Sequence, residues 1–208
     1  MKEHPILFAS EMVRAILDRL KTQTRRVMVP QPREGKYTQR ITEHAGGVWQ
    51  AESTDQEWRC PYGVPGDRLW VRETWCPCRV YPIYRADCCE DTPSANTDDW
   101  NEPDGDKWRP SIHMPRWASR ILLEVTDVRV QRVQEISEAD AIAEGAPLAD
   151  NPDFDRDDPM NDPRECHVAG YMKLWDSINA KRGYPWASNP WVWAITYKLL
   201  EVKGRLAA

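Results

Sequence analysis

The stretch that most constrains this chain is Ile6 to Arg26, reading ILFASEMVRAILDRLKTQTRR. It opens with an apolar run of strand length, Ile6-Leu7-Phe8. Ser10 then stands as a helix N-cap, with Glu11 in the first turn where a carboxylate suits the helix dipole. Met12, Val13, Ile16, Leu17 and Leu20 recur at three- and four-residue spacing, the pattern of an amphipathic helix over Ser10–Leu20. Beyond it, Lys21-Thr22-Gln23-Thr24-Arg25-Arg26 crowds three cations and two hydroxyls into six positions. Cations complement a helix C-terminus, so the plain reading is a solvated basic turn. The functional reading is a polar cluster held beside an apolar wall.

The rest of the chain alternates between strand-like runs and long polar segments. At 208 residues it suits one domain spanning 1–208, with insertions at about 28–62, 76–114 and 147–167. The net charge of −5 lacks the global basic footprint of a strong nucleic-acid binder. Residues 147–165 hold seven carboxylates against two arginines, which by itself accounts for that −5 and leaves a balanced remainder able to carry a basic face. This acidic, proline-rich loop is expected to be mobile and dispensable for folding. No apolar run reaches bilayer length and no signal-peptide stretch opens the chain, so a soluble, cytoplasmic protein is expected. In a reducing compartment the six cysteines are free thiols by default. Cys76, Cys78, Cys88 and Cys89 have spacings too tight for an ordinary zinc site, and neither metal nor cofactor is expected.

Within the first insertion, Gly46-Gly47 followed by Val48 and Trp49 reads as a short hairpin, the whole segment capping one end of the fold. Pro65-Gly66-Asp67 is a tight turn whose aspartate accepts bonds from its own backbone. In the strand that follows, Leu69 and Val71 face one way, Trp70 and Arg72 the other, and Glu73 ends it beside Trp75. Pro110 to Trp117 is a loop bounded by prolines. His113 is a candidate acid or base, or else a ring bonded to a backbone carbonyl. Arg116 and Trp117 side by side offer a phosphate contact and a stacking surface. Ile121–Thr126 continues through Val128 and Val130, with a bulge or a bend expected at Val133. Ser137 caps a short helix, Asp140 stands in for the glutamate of a capping box, and Gly145 follows Glu144 as the stop. Glu144 thus sits at a helix's negative end, which tends to raise a carboxyl pKa. Tyr171, Leu174, Trp175 and Ile178 form the stripe of a helix over Val168–Lys181, and Val192–Val202 is a last strand. Eleven tryptophans against two phenylalanines suit either the filling of a small barrel or the stacking of bases, with two or three lining a pocket.

The helix with its Lys21-Thr22-Gln23-Thr24-Arg25-Arg26 turn, Pro65-Gly66-Asp67 with the strand Arg68–Glu73, the strand Ile121–Thr126 and the acidic helix ending at Glu144 together resemble the ASCH domain of the PUA-like superfamily. PYGVPGDRLWVRETW and PSIHMPRWASRI resemble a larger form of that domain found in bacteriophages and prophages. The resemblance covers about half of the chain. One departure is Arg19, where the family has glycine two residues before the lysine. The resemblance implies an α+β fold built on a small PUA-like β-barrel, with helices flanking one mouth and long loop insertions. In one branch of ASCH-like proteins the lysine and second threonine of the turn and the glutamate closing the short helix remove an acyl group from the exocyclic nitrogen of cytidine. Carried over, Lys21, Thr24 and Glu144 are catalytic, and Arg26 contacts substrate or phosphate.

The chemistry of the residues agrees with that assignment without selecting it. A lysine crowded by arginines and burial has a lowered pKa and can serve as base to a threonine hydroxyl, while a glutamate passes the proton to a leaving amine. Arg72, Glu73, His113, Arg116 and Trp117 are the accompanying nucleic-acid or substrate contacts. Two other classes stay open: a non-catalytic module reading RNA or a modified base, and a ribonuclease in which Lys21 and Arg26 stabilise phosphate while His113 moves a proton. The expected partner is a nucleoside or RNA, with neither a membrane nor an obligate protein partner.

Overall fold

The short strand β1 (Glu3–Leu7) leads through helix α1 (Ser10–Leu17) into strand β2 (Gln23–Val27). The computed structural model describes residues 1–32, 41–44, 47–51, 56–77, 82–88, 107–151 and 165–203. In chain order there follow β3 (Ile41–His44), β4 (Val48–Ala51), β5 (Glu57–Arg59), β6 (Arg68–Arg72), β7 (Trp75–Cys76), β8 (Ile83–Tyr84) and β9 (Ile121–Arg132). Then come α2 (Glu138–Ala143), β10 (Ala149–Asp150), β11 (Glu165–Cys166), α3 (His167–Asn179) and β12 (Trp191–Val202). The fold is α+β, mostly strand. Among the described residues no helix is long and apolar enough to cross a membrane.

The main sheet has the order β1-β6-β9-β12-β2. β1 runs parallel to β6, and the other pairings are antiparallel. β1 and β2 are left as edges, so the described strands form an open sheet and not the closed barrel expected. Alternation along β12 splits the interior in two. Trp193, Ile195 and Tyr197 face the larger core, with Ile6, Phe8, Val13, Ile16, Leu69, Val71, Leu123 and Val125. Val192 points the other way, to a smaller core with Val133, Ala141, Tyr171 and Trp175 beneath α2 and α3.

Several local expectations change. The α1 N-cap is Ala9, with Ser10 the first helical residue, and the helix stops at Leu17, leaving Leu20 exposed. The basic run is no solvated turn: Gln23–Val27 is strand, and Lys21, Thr24 and Arg25 are all buried. The segment 28–62 is more than a cap. Its strands β3, β4 and β5 pair in order, and Trp49, Ala51, Trp58 and Cys60 enter the larger core, Trp49 meeting Trp193 edge-on at 4.9 Å. At Val133 the expected bulge or bend is a bend, with β9 ending at Arg132 and a 3-10 turn over Val133–Glu135, while the register shifts of the β12–β9 pairing fall at Thr196/Tyr197 and Leu199/Glu201. Of the clustered cysteines, Cys88 is a free thiol and Cys76 is buried, while Cys78 and Cys89 lie outside the described residues. Residues 152–164 of the acidic loop also lie outside them, but its two ends are tied together as β10 and β11.

Candidate functional site

Two helix ends meet to form the site. α1 closes with Arg19 N–H bonding to the carbonyl of Ile16 and Leu20 N–H to that of Ala15, while Arg19 itself takes φ 60°. α2 closes in the same way, with Gly145 N–H to Ile142 O, Ala146 N–H to Ala141 O, and Gly145 at φ 72°. Both are Schellman motifs with a left-handed residue just past the cap. Arg19 adopts the left-handed backbone conformation that glycine favours, and the turn is closed all the same. Thr22 N–H then bonds to the carbonyl of Ala143 at 2.8 Å, joining one helix terminus to the other.

This junction places Lys21 on Glu144. Lys21 Nζ donates to Glu144 Oε2 at 2.6 Å and to the Glu144 carbonyl at 2.7 Å. The ammonium thus sits at the negative end of α2 and beside the end of α1. Burial lowers the Lys21 pKa; Glu144 acts against that, and Arg26 and Arg25 reinforce it. Arg25 completes the cluster by donating to Glu144 Oε1 at 3.3 Å, Asp140 Oδ2 at 2.9 Å and Gln23 Oε1 at 2.6 Å. Ser137 is the expected N-cap, accepting from Asp140 N–H. The Asp140 carboxylate does not complete a capping box; it accepts instead from Arg25, Gln23 and Arg129.

A cleft of about 270 Å³ runs along the free edge of β2. Residues from both faces of that strand line it: Thr24 and Arg26 on one face, Arg25 and Val27 on the other. Glu144 forms part of the wall. The opposite wall is α3, whose Tyr171, Leu174, Trp175 and Ile178 all face the cleft. The stripe read from sequence as a helix packing face therefore serves the cavity as well as the core. Lys21 is not part of the lining and reaches the site through Glu144.

Arg26 is half-buried, donates from Nη2 to Leu7 O at 2.6 Å and lies 5.0 Å over the Phe8 ring, its Nε buried without a partner among the described residues. Tyr197, which sequence reasoning passed over, also approaches Phe8, with ring centroids 6.2 Å apart, and its hydroxyl is buried without a hydrogen bond among the described residues. Its pKa lies well above the ordinary value, first from burial and then from Glu144.

The remaining predicted residues do not line this cleft. Glu73 is fully buried and forms a two-point ion pair with Arg120, at 2.9 and 3.1 Å. Burial raises its pKa despite that partner. Arg120 also bonds Asp87 at 2.6 Å and lies 4.0 Å over Tyr84, so Glu73 belongs to an internal ionic cluster and not to a binding surface. Arg72 donates to the carbonyl of Ile112 and lies over Trp70. Arg116 bonds Glu3 at 2.8 Å and also lies over Trp70. Trp117 is 67% exposed and meets Trp75 edge-on. The His113 ring is exposed, without the expected bond to a backbone carbonyl among the described residues.

No protein-family model matches the chain, and no curated protein matches it. Among solved structures, protein EF3133 from Enterococcus faecalis V583, of the family DUF984, is similar at a TM-score of 0.42 and 9% identity, covering 100% of this chain and 86% of that one.

Proposed function

We propose that this chain is an ASCH-type, PUA-like protein that removes an acyl group from a modified cytidine, with Lys21, Thr24 and Glu144 as its catalytic residues. One observation carries the reading: Lys21 and Glu144, 123 positions apart, form a buried 2.6 Å pair whose carboxylate shares a cleft wall with Thr24. Burial lowers the Lys21 pKa, so its ammonium gives up a proton more readily than a solvated one, as a base requires. In the proposed sequence Lys21 takes the Thr24 hydroxyl proton and Oγ1 attacks the acyl carbonyl. Lys21 passes that proton across its 2.6 Å contact to Glu144, which delivers it to the exocyclic nitrogen as the C–N bond breaks. Water then cleaves the acyl-threonine ester. Tyr62, Tyr171, Trp175 and Tyr184 supply the aromatic walls that a nucleobase fits.

The test is hydrolysis of N4-acetylcytidine by wild type beside Lys21→Ala, Lys21→Arg, Thr24→Ser and Glu144→Gln, each checked for folding. Lys21→Arg should fail as Lys21→Ala does, because a guanidinium does not deprotonate in a protein. Thr24→Ser should retain part of the rate. Full activity in Lys21→Arg would reduce Lys21 to a fixed charge and end the amidase reading.

A specific observation favours one alternative. The exposed Trp117, with Arg72 and Arg116 over Trp70, is a stacking and phosphate-contact surface of the kind that single-stranded RNA uses. A non-catalytic RNA-binding module therefore remains the second reading, and it predicts that Trp117→Ala weakens RNA binding while Thr24→Ala does not. The ribonuclease reading loses support, since His113 does not line the cleft.

A further inference from the structure

The charges around the cleft do not cancel. Its lining holds three guanidiniums, Arg25, Arg26 and Arg182, against the single carboxylate of Glu144. Arg25 is matched by Glu144 and Asp140, and Glu144 is shared again with Lys21. Arg26 and Arg182 meet no carboxylate among the described residues. Arg26 makes its side-chain bond to a neutral carbonyl and keeps Nε buried without a partner among the described residues. A cation withdrawn from water with neither counter-charge nor full hydrogen bonding is costly until an anion reaches it. Arg182 stands exposed in the turn after α3. The positive excess therefore extends from the half-buried strand edge out to solvent. The volume suits one nucleotide-sized molecule and not a strand of several.

We infer that the cleft takes its ligand as a phosphorylated nucleoside, not an uncharged one, with Arg26 and Arg182 on the phosphate. The nucleoside half of this rests on the function proposed above; the phosphate half rests on the two unmatched guanidiniums. A phosphate monoester carries a charge of about −1.5 to −2 at neutral pH and accepts paired guanidinium bonds. A free mononucleotide and the 5′-terminal nucleotide of an RNA present the same group.

The experiment is titration calorimetry of the wild type and Arg182→Gln with four probes: cytidine, cytidine 5′-monophosphate, ribose 5-phosphate and a 5′-phosphorylated cytidine trinucleotide. The monophosphate should bind at least about tenfold more tightly than cytidine at low salt, as two charge-assisted contacts predict. That gap should narrow at high salt and collapse in Arg182→Gln. A trinucleotide tighter than the mononucleotide identifies an RNA end as the source; one no tighter identifies the free nucleotide. Equal binding of cytidine and its monophosphate, or a gap that survives in Arg182→Gln, overturns the inference and leaves the nucleoside reading standing. Ribose 5-phosphate binding as well as the nucleotide, with cytidine not binding, keeps the phosphate pair and removes the nucleoside. Binding by none of the four overturns both.

Discussion

Lys21 and Glu144 are each buried because the other is. Removing the ammonium in Lys21→Ala leaves Glu144 with the longer Arg25 contact alone, which should cost about 3 to 5 kcal/mol in urea unfolding, the usual penalty for orphaning a buried charge. A smaller loss is expected for Glu73→Ala, because Arg120 loses its buried partner but keeps its 2.6 Å bond to the exposed Asp87. Asp140 gives a pH-dependent counterpart. Burial opposes its ionisation, but Arg25, Arg129 and Gln23 prevail and hold its pKa below the ordinary 3.8. Its unfolded form binds its proton first as pH falls, so its stabilisation is whole above about 3.8 and is lost as pH drops through the lower folded value. Unfolding measured between pH 6 and pH 2 should show a shallower acid limb in Asp140→Asn than in wild type. At this scale the approach of Lys21 to Glu144 was legible in the sequence, through residue type and the order of the two helix ends. Arg120, 47 positions from Glu73, was not: a buried pair between distant elements leaves no local pattern to read.

At the scale of elements, the two Schellman ends determine how α1 and α2 meet. Arg19 holds a left-handed conformation that costs an L-residue about 1 to 2 kcal/mol, part of which glycine would return as chain entropy on unfolding. Arg19→Gly should accordingly raise stability by about 0.5 to 1 kcal/mol in denaturant melts, without changing ligand affinity. Ser137, Gly145 and the end of α2 could be read directly, because caps are local chemistry. The strand Gln23–Val27 could not. Strand recognition relies on alternating apolar residues, and this edge strand buries its polar side chains against partners from α2 and β12 instead. The N-cap at Ala9 was missed for a related reason: Ser10 is the stronger capping type, yet no side chain caps this helix.

For the molecule as a whole, the open sheet and the placement of α3 explain why the cleft exists. β2 leaves an edge unpaired, and α3 stands across from it as a wall. Hydropathy patterning supplied the strands and helices but not closure, which depends on pairings between β1, β2 and their neighbours. What holds α3 in place is the base of the acidic loop. Gly170 lies so close to Pro147 that an added Cβ would fall 1.7 Å from its carbonyl oxygen. Glu138 accepts from the N–H groups of His167 and Val168, and β10 pairs with β11 across Ala149↔Cys166 and Asp150↔Glu165. The expectation that the segment 147–165 is dispensable therefore has to be divided. Replacing 152–164 with a short turn should leave thermal stability and ligand binding near wild type, since the paired Asp150 and Glu165 already hold the ends together. Deleting 147–165 entirely should release α3, as should Gly170→Ala, whose methyl group cannot share space with a backbone carbonyl. A loss of about 2 kcal/mol or more, with weakened cleft binding, is expected in both. If the full deletion melted and bound like the wild type, α3 would be held by its core contacts alone, and the loop base would have no part in forming the cleft.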